Sequence, residues 1–208
     1  MHATRPIVGV LDYQAGNIQS IINAVDHLGA ESRTVASAAD MDGLSHLILP
    51  GVGAFGFCSR NLRATGLLPD LERWTLEERK PILGICVGMQ LLADASAELG
   101  EHEGLGWGGG RVEALEPDGK GIRIPHVGWN TATFDEEFGD FEPGESADFY
   151  FDHAFAYQSP THAHRVASCT HGQTFCAAIR RDNLVAVQFH PEKSQTAGMR
   201  FLTGFLGL

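Results

Sequence analysis

Three features of this sequence predict an α/β fold with a mostly parallel central sheet, helices on both faces and a small antiparallel layer. First, short and largely apolar runs at residues 7–11, 46–49 and 81–85 have strand length and no alternation, the pattern of strands buried on both faces. Second, helical periodicity lies between them: Ile18, Ile21, Ile22, Val25 and Leu28 recur at the spacing of one helix face. Strands alternating with helices imply parallel neighbours with crossover helices. Third, the texture changes after Gly100. Shorter alternating stretches at 111–115, 149–151, 165–170, 175–180 and 184–189 read as strands that continue the sheet and add the small layer.

In chain order, the run 7–11 ends at Asp12-Tyr13-Gln14-Ala15-Gly16-Asn17, and the first helix closes at Gly29, a C-terminal capping glycine. Residues 32–35 supply a second strand and 46–49 a third, which Pro50 stops. Residues 62–79 are amphipathic but interrupted at Pro69, so a helix is expected to start near Pro69-Asp70. The run 81–85 leads into residues 89–95, which contain no helix breaker and are expected to be helical. Residues 104–110, with five glycines, form a loop, and His171-Gly172-Gln173-Thr174 reads as a hairpin turn. Residues 196–208 form a closing helix with Met199, Leu202, Phe205 and Leu206 on one side. With no repeat, low-complexity tract or linker, residues 1–208 are expected to make one domain.

Composition excludes several classes of function. A net charge of −11 argues against nucleic acid or an anionic membrane as partner. No apolar run approaches the ~20 residues that span a bilayer, and residues 1–11 lack a signal-peptide shape. The four cysteines show no C-x-x-C and no zinc-finger spacing, which fits a reducing cytoplasm.

Chemistry concentrates at Gly84-Ile85-Cys86-Val87-Gly88-Met89-Gln90. Between strand and helix this is the G-x-nucleophile-x-G elbow with cysteine in place of serine. Its glycines let a strained turn pack closely, and the positive end of a helix suits an anionic sulfur. A lone cysteine in such a turn is most often structural, but the glycine bracket at a strand end points to a nucleophile. Downstream, Gln188-Phe189-His190-Pro191-Glu192-Lys193-Ser194 follows a predicted strand. In extended backbone His190 and Glu192 project to one side, as a base and the carboxylate that fixes its tautomer.

Pro50-Gly51-Val52-Gly53-Ala54-Phe55-Gly56 carries two readings. Gly51, Gly53 and Gly56 match a dinucleotide fingerprint, yet this is not the first βα turn and no clear helix is expected to follow at once. The stronger reading makes its backbone N–H groups an oxyanion hole with that of Val87. His162, His164, Cys169, His171 and Cys176 cluster in sequence, and a turn centred on Gly172-Gln173 sets Cys169 opposite Cys176. Half-buried strand residues account for them, and neither a metal nor a cofactor is expected.

With these motifs the chain resembles the class I glutamine amidotransferases over essentially its whole length. Within them it is similar to the glutaminase subunits of imidazole glycerol phosphate synthases. The narrower likeness rests on Asp12-Tyr13 with Gly16-Asn17, on Arg123-Ile124-Pro125-His126-Val127-Gly128-Trp129-Asn130, and on Glu192-Lys193-Ser194-Gln195 with Gly198. The resemblance implies a flavodoxin-like three-layer fold and hydrolysis of glutamine through Cys86, His190 and Glu192. It implies oxyanion donors at Val52 and Val87, with Gly51 and Gly53 allowing the turn, and glutamine contacts at Gln90 and Glu98. It also implies a heterodimer with a (β/α)₈-barrel cyclase that receives the ammonia, met by Pro125, His126, Trp129, Asn130 and Lys193.

Two departures from the family pattern, Gln14 in place of a glycine and Phe151-Asp152-His153-Ala154-Phe155 near the substrate, leave a second assignment open. That is a paralogue feeding ammonia to a related barrel, as in surface-sugar amidination. Other readings are a catalytically silent subunit, which the retained triad opposes, and a partner-free cysteine hydrolase.

Overall fold

The computed structural model describes residues 5–117, 121–159 and 164–208. Its main sheet has nine strands, and the first five are parallel; four of them are largely apolar runs buried on both faces, while the edge strand, Glu31–Val35, is polar and partly exposed. These are β1 (Ile7–Leu11), β2 (Glu31–Val35), β3 (His46–Leu49), β4 (Ile82–Ile85) and β13 (Leu184–Val187), in the order β2-β1-β3-β4-β13. The last strand of the chain thus lies beside β4, with Val187 opposite Ile85. Four antiparallel strands continue the sheet: β12 (Gln173–Arg181), β11 (Arg165–His171), β8 (His126–Phe134) and β9 (Ser146–His153). A second sheet of four short strands has the order β10-β7-β5-β6, from β5 (Ala95–Ser96), β6 (His102–Glu103), β7 (Arg111–Ala114) and β10 (Phe155–Gln158). Two of its three contacts are antiparallel and one, β5 with β7, is parallel.

Helices α1 (Ile18–His27) and α5 (Gln195–Leu206) bury Ile21, Ala24, Val25, Phe201, Leu202 and Phe205 in the core. Phe205 sits edge-on to the ring of His46 at 5.1 Å. Where residues 62–79 suggested one interrupted helix, there are α2 (Phe55–Ala64), α3 (Leu68–Glu72) and a π-helical turn, Arg73–Glu77. The start of α2 at Phe55 corrects the expectation that no helix follows Gly51-Val52-Gly53 at once. The Glu98 carboxylate, distant in sequence, caps its first turn by accepting the Phe55 N–H at 2.7 Å.

Residues 89–95 are not a helix. Only α4 (Val87–Gln90), a single turn, forms after Cys86, and Ala95 already belongs to β5. The glycine loop explains this: Leu105, Gly106 and Gly108 donate their N–H groups to the carbonyls of Leu91, Ala93 and Leu92. Those carbonyls are satisfied from outside, so a second helical turn gains nothing. The hairpin between β11 and β12 turns on Gly172 alone, with φ of 74°. Cys169 consequently pairs with Phe175, and Cys176 falls opposite Ser168 rather than Cys169. A one-residue change of register sends the two thiols to opposite faces. No helix among the described residues is long and apolar enough to cross a membrane.

Candidate active site

Cys86 occupies the apex between β4 and α4 with φ 55° and ψ −111°. For a residue with a Cβ this backbone is strained by about 1–3 kcal/mol and persists only where its surroundings impose it. Those surroundings are backbone packed on backbone. A Cβ on Gly88 would stand 1.9 Å from the Leu49 carbonyl oxygen, and one on Gly51 would stand 2.6 Å from the Gly88 nitrogen. The end of β3 and the start of α4 therefore meet without side chains between them. On the other side, the Cys86 N–H donates to the Val187 carbonyl at 2.8 Å, which ties the elbow to β13.

Three residues beyond that junction, β13 delivers His190 into the same cavity, of about 320 Å³, that Cys86 lines. The chain does not stay extended past His190, as the sequence reading assumed. Pro191–Lys193 form a 3₁₀ turn, and its curvature brings Glu192 back onto the ring. His190 Nδ1 lies 2.8 Å from Glu192 Oε1, with the two side chains 4% and 1% exposed. Because the carboxylate only accepts, Nδ1 carries the proton and Nε2 is left for the thiol. Burial pushes the His190 pKa down, but hydrogen bonding and negative charge from Cys86 and Glu192 outweigh it and raise it to about 10. At neutral pH the ring is an imidazolium facing the sulfur, the pairing that a nucleophilic cysteine requires.

Val52, Gly53, Val87, Gln90 and Glu98 line the same cavity, as does Pro125. Gln90 is buried, and its Nε2 donates to the carbonyl of Phe155 at 2.9 Å and to Gln188 Oε1 at 3.1 Å. The segment 50–52 is held at all three of its carbonyls. The Tyr13 hydroxyl donates to Pro50 O, the Val87 N–H to Gly51 O at 3.3 Å, and the Cys58 thiol to Val52 O at 3.6 Å. Gly51 O thus takes up the Val87 N–H, one of the expected oxyanion donors. The dinucleotide reading fares worse. Glu98 already takes the Phe55 N–H at the helix start, and Gly56 is needed for packing, since a Cβ there would stand 2.6 Å from the His102 ring.

Four of the five residues assigned to a partner face are at least partly accessible: Pro125 and Trp129 are exposed, Asn130 and Lys193 half-buried. His126 is not. At 3% exposure its ring points inward, because successive strand residues alternate faces and Val127 and Trp129 take the outer one. Lys193 Nζ lies over the Tyr150 ring at 5.4 Å. Among the described residues no group of three or more His, Cys, Asp or Glu could hold a metal ion, and His162 lies outside them.

Sequence reasoning missed two residues here. Gln188 donates to Cys86 Sγ at 3.7 Å, and its place two residues before His190, directly after β13, was a usable signal. Cys58 gave none, since long-range packing alone brings it in, whereas His153 belongs to the stretch 151–155 that the family resemblance set near the substrate. Gln14, the departure in the first turn, keeps the left-handed backbone with φ of 63°, and its N–H is held by Asp12 Oδ1 at 3.1 Å.

The chain is similar to known proteins over nearly its whole length. The Imidazole glycerol phosphate synthase subunit HisH of Rhodospirillum rubrum is 41% identical over 210 residues, covering 96% of this chain and 97% of that protein. The subunit of the same name from Zymomonas mobilis is 41% identical over 204 residues, with 96% and 94% covered. A solved structure described as PurLQS from Thermotoga maritima superposes with a TM-score of 0.75 at 19% identity, covering 98% of this chain and 99% of that one, a likeness of fold. The family model "Glutamine amidotransferase class-I" matches residues 9–206, a span that holds the cysteine elbow, the segment 50–53 and the His-Glu pair alike. On that match the chain belongs to the class I glutamine amidotransferase family.

Proposed function

We propose that this chain is the glutaminase subunit of an imidazole glycerol phosphate synthase, releasing ammonia from glutamine for histidine biosynthesis. The observation that carries the reading is the His190–Glu192 bond placed beside the strained Cys86 in one cavity. The thiolate attacks the side-chain amide carbon of glutamine. His190 gives its proton to the departing ammonia, and a γ-glutamyl thioester remains. Water, deprotonated by the now neutral His190, hydrolyses the thioester to glutamate and restores the imidazolium.

Gln90 and Glu98 hold the substrate in this reading. The developing oxyanion requires donors from Val87 and Val52. With the Gly51 carbonyl turned inward, rotation of the Gly51–Val52 peptide replaces that carbonyl by the Val52 N–H and frees the Val87 N–H. Gly51 and Gly53, the latter at φ 107°, give the backbone this freedom. Ammonia passes to a (β/α)₈-barrel cyclase docked on the face of Pro125, Trp129, Asn130 and Lys193, and docking favours the rotated peptide. The relatives' names support the histidine pathway and do not favour a surface-sugar paralogue. The free thiols suit a cytoplasmic setting.

The test is glutamate release by the chain mixed with its cognate cyclase, with and without the cyclase's ligand. Cys86→Ala and Cys86→Ser are both expected to lose nearly all turnover. Unchanged turnover in either one removes the proposed nucleophile, and full activity without the cyclase favours a partner-free hydrolase.

A further inference from the structure

Beyond the triad, a buried pair of histidines runs from the outer strand β8 to the cavity. His153 lines the cavity and is 6% exposed. Its Nδ1 lies 2.8 Å from the Phe155 carbonyl oxygen. A carbonyl only accepts, so Nδ1 bears the hydrogen and Nε2 is a bare acceptor. That Nε2 is 3.0 Å from His126 Nδ1, which must therefore be the donor. His126 Nε2 is then an acceptor in its turn, and Asn130 Nδ2 stands 3.1 Å away. The Asn130 amide is oriented by two further bonds, Nδ2 to the Thr170 carbonyl at 3.0 Å and the Thr131 N–H to Oδ1 at 2.8 Å. Every tautomer in the series follows from its neighbour.

The series does not end at His153. The Phe155 carbonyl also accepts from Gln90 Nε2, which bonds Gln188, which in turn donates to Cys86 Sγ. The His126 ring is clamped between His171, stacked at 3.9 Å and 18°, and Phe151, stacked at 4.7 Å and 21°. Burial and the neighbouring His153 and His171 lower His126 to about 3. Burial, outweighing the Phe155 hydrogen bond and joined by His171 and His190, lowers His153 to about 4. Both rings are neutral at working pH, as the donor order requires.

We infer that His126 is a positioning residue of the glutaminase site: through His153 it fixes the Phe155 carbonyl, and thereby Gln90 and the cavity wall that receives glutamine. This rests on the glutaminase reading above. Because the relay shapes the wall and leaves the reacting groups alone, its loss should appear in KM and not in kcat.

The experiment compares His126→Phe, which keeps the stacked ring without a donor, with His126→Asn, whose Nδ2 replaces the donating Nδ1. In the complex with cyclase, H126F should raise the KM for glutamine by about 10-fold with kcat little changed. H126N should recover most of that loss. Equal KM in H126F and wild type, or equal defects in the two variants, overturns the inference. A variant that fails to fold leaves a direct measurement on the wild type: ¹⁵N NMR of the ring nitrogens should show His126 and His153 both protonated at Nδ1 only. Protonation of His153 at Nε2 sinks the relay. Absence of glutamate release by the wild-type complex counts against the proposed function instead, and the ring-nitrogen spectrum still decides the relay.

Discussion

Glu192→Gln isolates what the carboxylate does for His190. Glutamine keeps an oxygen to accept from Nδ1, and its amide nitrogen can occupy the place of Glu192 Oε2, which is buried without a hydrogen-bond partner among the described residues. Shape is conserved and charge is removed. His190 is raised from 6.5 to about 10, a net gain of about 3.5 units, or roughly 5 kcal/mol. That gain is what remains after burial has opposed the contributions of two partners, of which the Cys86 hydrogen bond is the larger. Removing the Glu192 charge should therefore bring His190 down, because one of its two partners no longer favours the protonated ring. The assay is kcat/KM for glutamine against pH. The alkaline limb, where the imidazolium loses its proton, should move from near 10 to lower pH, and kcat/KM on that limb should fall about 10-fold or more. In stability terms, a histidine raised in the folded state contributes fully below pH 6.5 and loses that contribution as pH climbs through 10, so the variant's deficit should shrink toward high pH. An alkaline limb that stays in place would show that Glu192 does not hold the charge on His190.

The buried neutral histidines predict the opposite pH response. His126 and His153 take up protons less readily folded than unfolded, so stability is whole above pH 6.5 and falls as pH drops toward 4. Urea unfolding across that window should reveal a loss of about 3 kcal/mol from each of the two rings, and H126F should remove the His126 share. Gly88→Ala should abolish the elbow, because its Cβ would lie 1.9 Å from the Leu49 carbonyl. We expect a melting temperature lower by 10 °C or more, or no soluble protein, and a native-like melt would refute the close packing.

How much of this could be read from residues depended on the distance over which each feature is determined. The elbow was legible because its glycines and cysteine lie within five positions, and β1, β3 and β13 because they are apolar throughout or, in β3, apart from His46. Strand β8 was not. Its run His126-Val127-Gly128-Trp129-Asn130-Thr131 is half polar, and its inner face is made of groups satisfied only by β9 and β11. The His126–His153 contact depends on a register set across 27 positions, and no local pattern encodes that. Helix α2 was hidden for a related reason: its first turn is capped by a carboxylate 43 residues away. The expected single-sided projection of His190 and Glu192 reached the right neighbours by the wrong backbone, a turn in place of a strand.

The adjacency of β4 and β13 has a bearing on how the protein is made. Cys86 leaves the ribosome about a hundred residues ahead of His190, and β13 cannot slot in beside β4 until the residues between them have emerged. Until then the sulfur lacks the partner that would arm it, and a chain that stops short of β13 carries the cysteine without its histidine. Reactivity here is conferred by a pairing made across that separation, after the elbow itself has been synthesised.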